Sequence, residues 1–343
     1  MKIETVIREL HPRHTFRISR GARESTSNVF VRLRGDGAIG FGEAAPSAYY
    51  GESAEQVLEK LTTIAPLLTS LKIRSVADIE RSWENLWNLL SPSRAAQCAL
   101  DLALWDWLAR KEGVSVTELA WGRTPRRVRT FCTIGLSSPE EFAARLKDLL
   151  EFPLIKIKSD DTANLEPVRQ AAQMNGARVA VDANCAWSGK DLHALGEELT
   201  ALKVEFIEQP LPPEEEEMTP RFAKGPSIMA DESCVILEDV ERIAHHFDGF
   251  NIKLVKCGGL TPGLKMARLG RELGLKTMVG CMLESSALIS AGAVVAQGAD
   301  YADLDGAWLL RDDPFAGWEF SAGVLQPPVG NGLGTQPLDD LFS

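Results

Sequence analysis

Val179-Ala180-Val181-Asp182 decides the fold: it is a short, wholly apolar run closed by a single carboxylate. A strand without polar alternation is covered on both faces, which is the habit of parallel sheets flanked by helices. The same form recurs on either side. Upstream lies Leu154-Ile155-Lys156-Ile157-Lys158; downstream come Val204 to Glu208, Ile228 to Asp231, and Phe250 to Leu254, which carries Lys253. From Lys158 onward the charged closing residues fall at intervals of 24, 26, 23 and 22 residues, about one strand-plus-helix unit each. Val128 to Ile134 ahead, with Thr277 to Cys281 and Tyr301 to Asp305 behind, bring the total to eight units. Eight in succession predict a (β/α)8-type barrel of α/β class. The region is shorter than the roughly 250 residues usual for that fold, so one abbreviated helix is expected.

Residues 1-120 carry a different pattern and are expected to form an N-terminal α+β capping domain. Glu4 to Leu10, His14 to Ser19 and Asn28 to Leu33 read as strands, and Gly35-Asp36-Gly37 turns the last of them into Ala38 to Glu43. Gly37, Gly40 and Gly42 lack the Lys-Ser/Thr that would follow in a phosphate loop, so they belong to the hairpin. Ser53 with Gln56, and Ser75 with Asp78, have capping-box spacing, and Ser91-Pro92 reads as a cap ahead of a first-turn proline. Three helices therefore follow a small sheet. Residues 121-320 make the barrel, and 321-343, with Pro327-Pro328 and Gly330-Asn331-Gly332, make a tail expected to pack back on the capping domain.

Charge narrows the function. The 343 residues hold 37 Lys and Arg against 48 Asp and Glu, a formal charge of −11, the wrong sign for binding nucleic acid or an anionic membrane. A small-molecule substrate is the better expectation. Six scattered cysteines form no CxxC pair and read as reduced core thiols, and no apolar run approaches the ~18 residues of a membrane span. The start Met1-Lys2-Ile3-Glu4 is charged where a signal peptide is apolar, so a cytoplasmic location is expected.

In a barrel, active-site groups project from the C-terminal ends of the strands. Here that edge carries Lys156 and Lys158, then Asp182, Glu208, Asp231, Lys253, and finally Asp303 and Asp305. Three carboxylates on neighbouring strands raise one another's pKa unless a cation compensates them, so a metal is implied. With oxygen ligands alone, a hard octahedral ion is expected, Mg2+ (one per subunit) with Mn2+ as a substitute. His11, His14, His193, His245 and His246 all lie away from this edge, which removes Ser-His-Asp and Cys-His mechanisms. Lysines on both sides of such a site suit proton transfer next to a carboxylate, where the cation stabilises the enediolate. For that task desolvation and a nearby cation would lower a lysine from ~10.4 to roughly 7 to 8. The run Glu214 to Glu217 follows Pro212-Pro213 and reads as the start of a helix, without a functional role.

The stretches Ile155-Lys156-Ile157-Lys158, Val181-Asp182-Ala183-Asn184, Ile207-Glu208-Gln209-Pro210, Ala230-Asp231-Glu232-Ser233 and Asn251-Ile252-Lys253-Leu254 together resemble the enolase superfamily, muconate-lactonising subgroup. Over nearly the whole chain the likeness is to dipeptide epimerases of the L-Ala-D/L-Glu epimerase type. That resemblance implies an isomerase with Lys158 and Lys253 as acid and base on opposite faces of the α-carbon. It also implies Asp182, Glu208 and Asp231 as metal ligands and Lys156 as an electrostatic helper beside the substrate carboxylate. Asp303-Leu304-Asp305 resembles the DxD pair that holds a dipeptide's free ammonium, Thr133 falls where the family has a substrate-contacting threonine, and Arg20 resembles the arginine that takes a glutamate side chain. Arg17 and Arg23 are its rivals for that place.

Two other readings stand beside this one. An o-succinylbenzoate synthase or other lyase or cycloisomerase of the same subgroup would use the same metal and lysines, while a catalytically silent barrel would bind a small ligand only. The dipeptide's identity and any homo-oligomer are left open by the sequence.

Overall fold

The computed structural model describes residues 1–19, 21–174 and 176–342. Strands Cys132–Ile134, Leu154–Lys158, Arg178–Asp182, Phe206–Glu208, Ser227–Ala230, Gly249–Lys253, Lys276–Gly280 and Tyr301–Asp303 form one sheet in chain order, each parallel to the next. The ends meet where Phe131 N donates to Ala302 O at 2.8 Å and Leu304 N donates to the Thr130 hydroxyl at 2.7 Å. This is the expected barrel.

The period of two along each strand sorts its residues into layers. Outward-facing Ile155, Ile157, Val179, Val181, Ile207, Ile228 and Ile252 join the large core shared with the surrounding helices. Inward-facing Phe131, Leu154, Ala180, Phe206, Met229 and Met278 form a separate apolar plug, in which the Phe131 and Phe206 rings pack edge to face at 5.3 Å. Two residues further along the same inward rows stand Lys156, Asp182, Glu208 and Asp231. The apolar plug thus floors a charged upper layer.

The structure corrects four details. Val128 to Ile134 is not one strand: Val128–Arg129 pairs with Val324–Gln326 of the tail, and only Cys132–Ile134 enters the barrel. Three connections are abbreviated rather than one: a 3-10 turn at Pro213–Met218, which absorbs the acidic run, and short helices at Asp239–Ile243 and Gly306–Leu309. Ser93, not Ser91, caps the helix Arg94–Glu112, its hydroxyl accepting from Ala96 N. The strand read at His14 to Ser19 shrinks to Phe16–Ile18, paired with Gly21–Arg23.

In the capping domain, Lys2–Leu10, Thr26–Gly35 and Ala38–Ala44 form an antiparallel sheet, followed by helices Ala54–Leu68, Val76–Leu90 and Arg94–Glu112. The last helix is buried from Ala95 to Ala109 between this sheet and the barrel. Its backbone comes so near the sheet that a Cβ on Gly40 or Gly42 would stand 2.1 Å from Ala103 O or 2.0 Å from Ala99 O. That approach explains Gly40 and Gly42; Gly37 sits instead at φ 78° in the hairpin turn. On its other side Asp101 accepts from Thr261 N at 2.8 Å and Thr261 Oγ1 at 2.6 Å, tying the helix to the barrel. A second tie is fully buried: Glu43 accepts from Asn28 Nδ2 at 2.7 Å, Ser285 N at 3.0 Å, Ser285 Oγ at 2.5 Å and Leu288 N at 3.1 Å. Among the described residues no helix is long and apolar enough to cross a membrane.

Candidate active site

Strand register sets the site. Lys158 pairs with Asp182 and Ile207 with Val181 in neighbouring strands, so the charged residues that follow the apolar plug reach the same level. Lys158 Nζ donates to Asp182 Oδ2 at 2.5 Å. Lys156, 1% exposed, donates to Glu208 Oε2 at 2.9 Å and to Asp303 Oδ2, and stands 3.6 Å from Asp182 Oδ2. Lys253 donates to Asp231 Oδ2 at 2.7 Å. Thr133 joins the eighth strand to the group: its N donates to Asp305 Oδ2 at 2.7 Å and its hydroxyl to Asp303 Oδ1 at 3.1 Å. Nine of the ten predicted site residues are therefore brought together. The tenth, Arg20, lies outside the described residues.

Each of the three central carboxylates has one oxygen anchored and one turned to an ammonium. Asp182 Oδ1 accepts from Asn184 N at 2.9 Å, Glu208 Oε1 from Asn251 Nδ2 at 2.7 Å, and Asp231 Oδ1 from Lys256 Nζ at 2.6 Å. Among the described residues no three acidic, histidine or cysteine side chains form a cluster set to hold a metal ion, because the outer oxygens face Lys156, Lys158 and Lys253. The donor chemistry nonetheless fits a hard divalent cation: Asp182, Glu208 and Asp231 are three buried carboxylates at the ends of consecutive strands, each anchored through one oxygen and offering the other. They are the residues that would hold it.

The charges perturb one another strongly. Burial alone would raise Asp231 and Asp182, but Lys253 and Lys256 hold the first, and Lys158 and Lys156 the second, below the usual carboxylate range. Glu208 is pushed up to about 7 by burial and by Asp182. Burial would depress Lys156 and Lys253, yet Asp303 and Glu208 for the one and Asp231 and Glu208 for the other keep both well above the usual lysine value. This departs from the lowered lysine expected from the sequence. Carboxylates bonded to the ammoniums outweigh desolvation in this state.

Two family models cover most of the chain: the mandelate racemase/muconate lactonizing enzyme N-terminal domain over residues 2–120 and the enolase C-terminal domain-like model over 140–341. The chain belongs to the mandelate racemase/muconate lactonizing enzyme family. Among its relatives is the L-Ala-D/L-amino acid epimerase of Flavobacterium johnsoniae, 37% identical over 98% of this chain and 100% of that protein. The hydrophobic dipeptide epimerase of Roseobacter litoralis is 36% identical over 97% of this chain and 98% of its own length. A crystal structure of a dipeptide epimerase from Methylococcus capsulatus, complexed with Mg and the dipeptide L-Arg-D-Lys, is 30% identical, covers 98% of this chain and 99% of its own, and superposes with a TM-score of 0.88.

In this member of the mandelate racemase/muconate lactonizing enzyme family the lysines open on a cavity of about 360 Å³. Lys156, Lys158, Asp231, Lys253, Asp303, Asp305 and Thr133 line it together with the apolar or aromatic Phe16, Ile18, Tyr50, Met282, Leu283 and Leu309. Of the neighbours considered beside Arg20, Arg23 lines the cavity, while Arg17 reaches toward Glu141 at 3.9 Å. Sequence reading missed the polar residues behind the site: Lys256, Asn251 and Gln209, whose Oε1 accepts from Asp231 N at 2.8 Å and Ser233 N at 3.1 Å. Their signal was present, since Asn251 shares an inward row with Lys253 and Lys256 follows Lys253 by three residues. It also missed Tyr50, which comes from the capping domain, a contact that no spacing encodes.

Proposed function

We propose that this chain is a Mg2+-dependent dipeptide epimerase that inverts the α-carbon of the C-terminal residue by 1,1-proton transfer between Lys158 and Lys253. The observation that carries it is the placement of those two amines. They end the second and sixth strands of an eight-stranded barrel, which are diametrically opposite, and both open on the one cavity. A small acid placed between them presents one face of its α-carbon to each.

A divalent cation held by Asp182, Glu208 and Asp231 would offset the negative charge that builds on the substrate carboxylate as the α-proton leaves. One such ion per subunit is proposed, Mg2+ or Mn2+. Lys158 and Lys253 leave their carboxylate partners to meet the α-carbon, one as the neutral amine taking the proton and the other as the ammonium delivering its own to the opposite face. Lys156, fixed by Glu208 and Asp303, adds a positive charge near the substrate carboxylate. Asp303 and Asp305, held by Thr133, accept from the free ammonium of the dipeptide. The relatives named above, called epimerases of dipeptides or of L-Ala-amino acid pairs, support this substrate class. The apolar walls favour an uncharged C-terminal side chain; an arginine from Arg20 would instead select an acidic one.

The test is a dipeptide library incubated in D2O with Mg2+ and read by mass spectrometry and chiral chromatography. Gain of one deuterium with inversion, from either epimer, is the expected result. Turnover of a succinyl-cyclohexene carboxylate, or of N-acyl amino acids, with no dipeptide turnover would overturn it.

A further inference from the structure

Lys256 lies three residues beyond Lys253 on the one-turn helix Leu254–Cys257 and is 3% exposed. Its ammonium donates to Asp231 O at 2.6 Å, Asp231 Oδ1 at 2.6 Å and Cys234 O at 3.0 Å. All three donors of the ammonium are thereby used. Two of the acceptors are the main-chain and side-chain oxygens of one residue, so the bonds close a ring through Asp231 and fix its side-chain torsions. Lys253, by contrast, takes the other oxygen, Oδ2, and faces the cavity.

A mere clamp for the Asp231–Cys234 turn does not call for a buried charge. Gln209 already holds that turn with neutral bonds to Asp231 N, Ser233 N and Ser233 Oγ. Across the barrel a carboxylate is also shared by two lysines, but through one oxygen: Asp182 Oδ2 faces Lys158 at 2.5 Å and Lys156 at 3.6 Å. At both strand ends, then, a working lysine shares its carboxylate with a second lysine, but only Lys256 stands outside the cavity lining.

We propose that Lys256 is a positioning residue. It keeps Asp231 charge-balanced and its Oδ2 turned to the cavity while Lys253 leaves that oxygen to exchange a proton with substrate. The inference rests on the two-lysine reading above. Loss of such a supporting partner typically costs 10–100-fold in metal affinity or activity.

Two measurements on Lys256→Met test it, with circular dichroism and a cooperative melt as the check on folding. Calorimetric titration with Mg2+ in the absence of substrate should show affinity weakened about tenfold or more. Deuterium uptake should slow much more from the epimer whose α-proton faces Lys253 than from the one facing Lys158, an asymmetry that general loosening of the barrel would not give. Unchanged Mg2+ affinity, or equal slowing from both epimers, overturns the proposal. Should Lys256→Met not fold, Lys256→Gln, which keeps a donor and drops the charge, gives the same readings. If the wild-type protein exchanges neither epimer of any dipeptide, the epimerase reading fails, and the Mg2+ titration alone then decides the role of Lys256.

Discussion

Lys158 and Asp182 meet at 2.5 Å because their strands run side by side in register, and the same logic pairs each amine of the site with a carboxylate. Losing either working amine should therefore remove chemistry on one face only. Lys158→Ala and Lys253→Ala are each expected to lower epimerisation by at least about a hundredfold, the ordinary worth of a positioned acid or base. Each variant should retain deuterium exchange on the epimer facing the surviving lysine. Epimerisation at the wild-type rate by either variant would contradict the assignment. Asp182→Asn keeps the shape and removes a charge, so Mg2+ affinity measured by calorimetry should drop roughly tenfold or more. An unaltered titration would remove Asp182 from the ligand set.

Between the seventh barrel strand and the helix Ser286–Ala296, Cys281, Met282 and Leu283 line the cavity and the next residue, Glu284, is buried. Glu284 accepts from Met282 N at 2.8 Å, and burial pushes its pKa from 4.5 to about 8. The folded state then holds a proton that the unfolded chain has released, so this group makes stability fall as pH rises from about 4.5 to about 8. Glu43, raised by burial to about 7, adds to the fall over the lower part of that window. Glu284→Gln should flatten the upper part, checked by urea midpoints between pH 5 and 9; parallel curves for the two proteins would count against a protonated Glu284. The capping sheet offers a second prediction for a whole element. Gly42→Ala places a methyl against Ala99 O and forces strand and helix apart, a strain of about 1–3 kcal/mol readable as a lowered melting temperature.

At the scale of the molecule, the tail bonds on two sides, Val324–Gln326 pairing with Val128–Arg129 and Leu333 reaching the capping helix. Asp106, fully buried on the long capping helix, accepts from Phe41 N at 2.8 Å, Leu333 N at 2.6 Å and Arg110 Nε at 2.9 Å. Asp106→Ala orphans all three donors and should cost about 3–5 kcal/mol in denaturant unfolding, the range for breaking a buried charge pair. A loss under 1 kcal/mol would mean that water replaces the carboxylate. Barrel and charged rim were legible in the sequence because a parallel strand repeats with period two and a βα unit closes every twenty-odd residues, so Lys156, Lys158, Asp182, Glu208, Asp231 and Lys253 announced their common level by spacing alone. The supports were not. Lys256 is charged and local, yet its partner comes from the preceding strand end; Tyr50 reaches the cavity from another domain; the split of Val128 from Cys132 depends on a tail strand two hundred residues away. The chain by itself fixed which residues face inward, since side-chain alternation is a property of the backbone. Which amine rests on which carboxylate, and therefore which lysines are held above their ordinary pKa, was decided only by tertiary packing, because contacts between distant segments and their loss of water have no signature in local sequence.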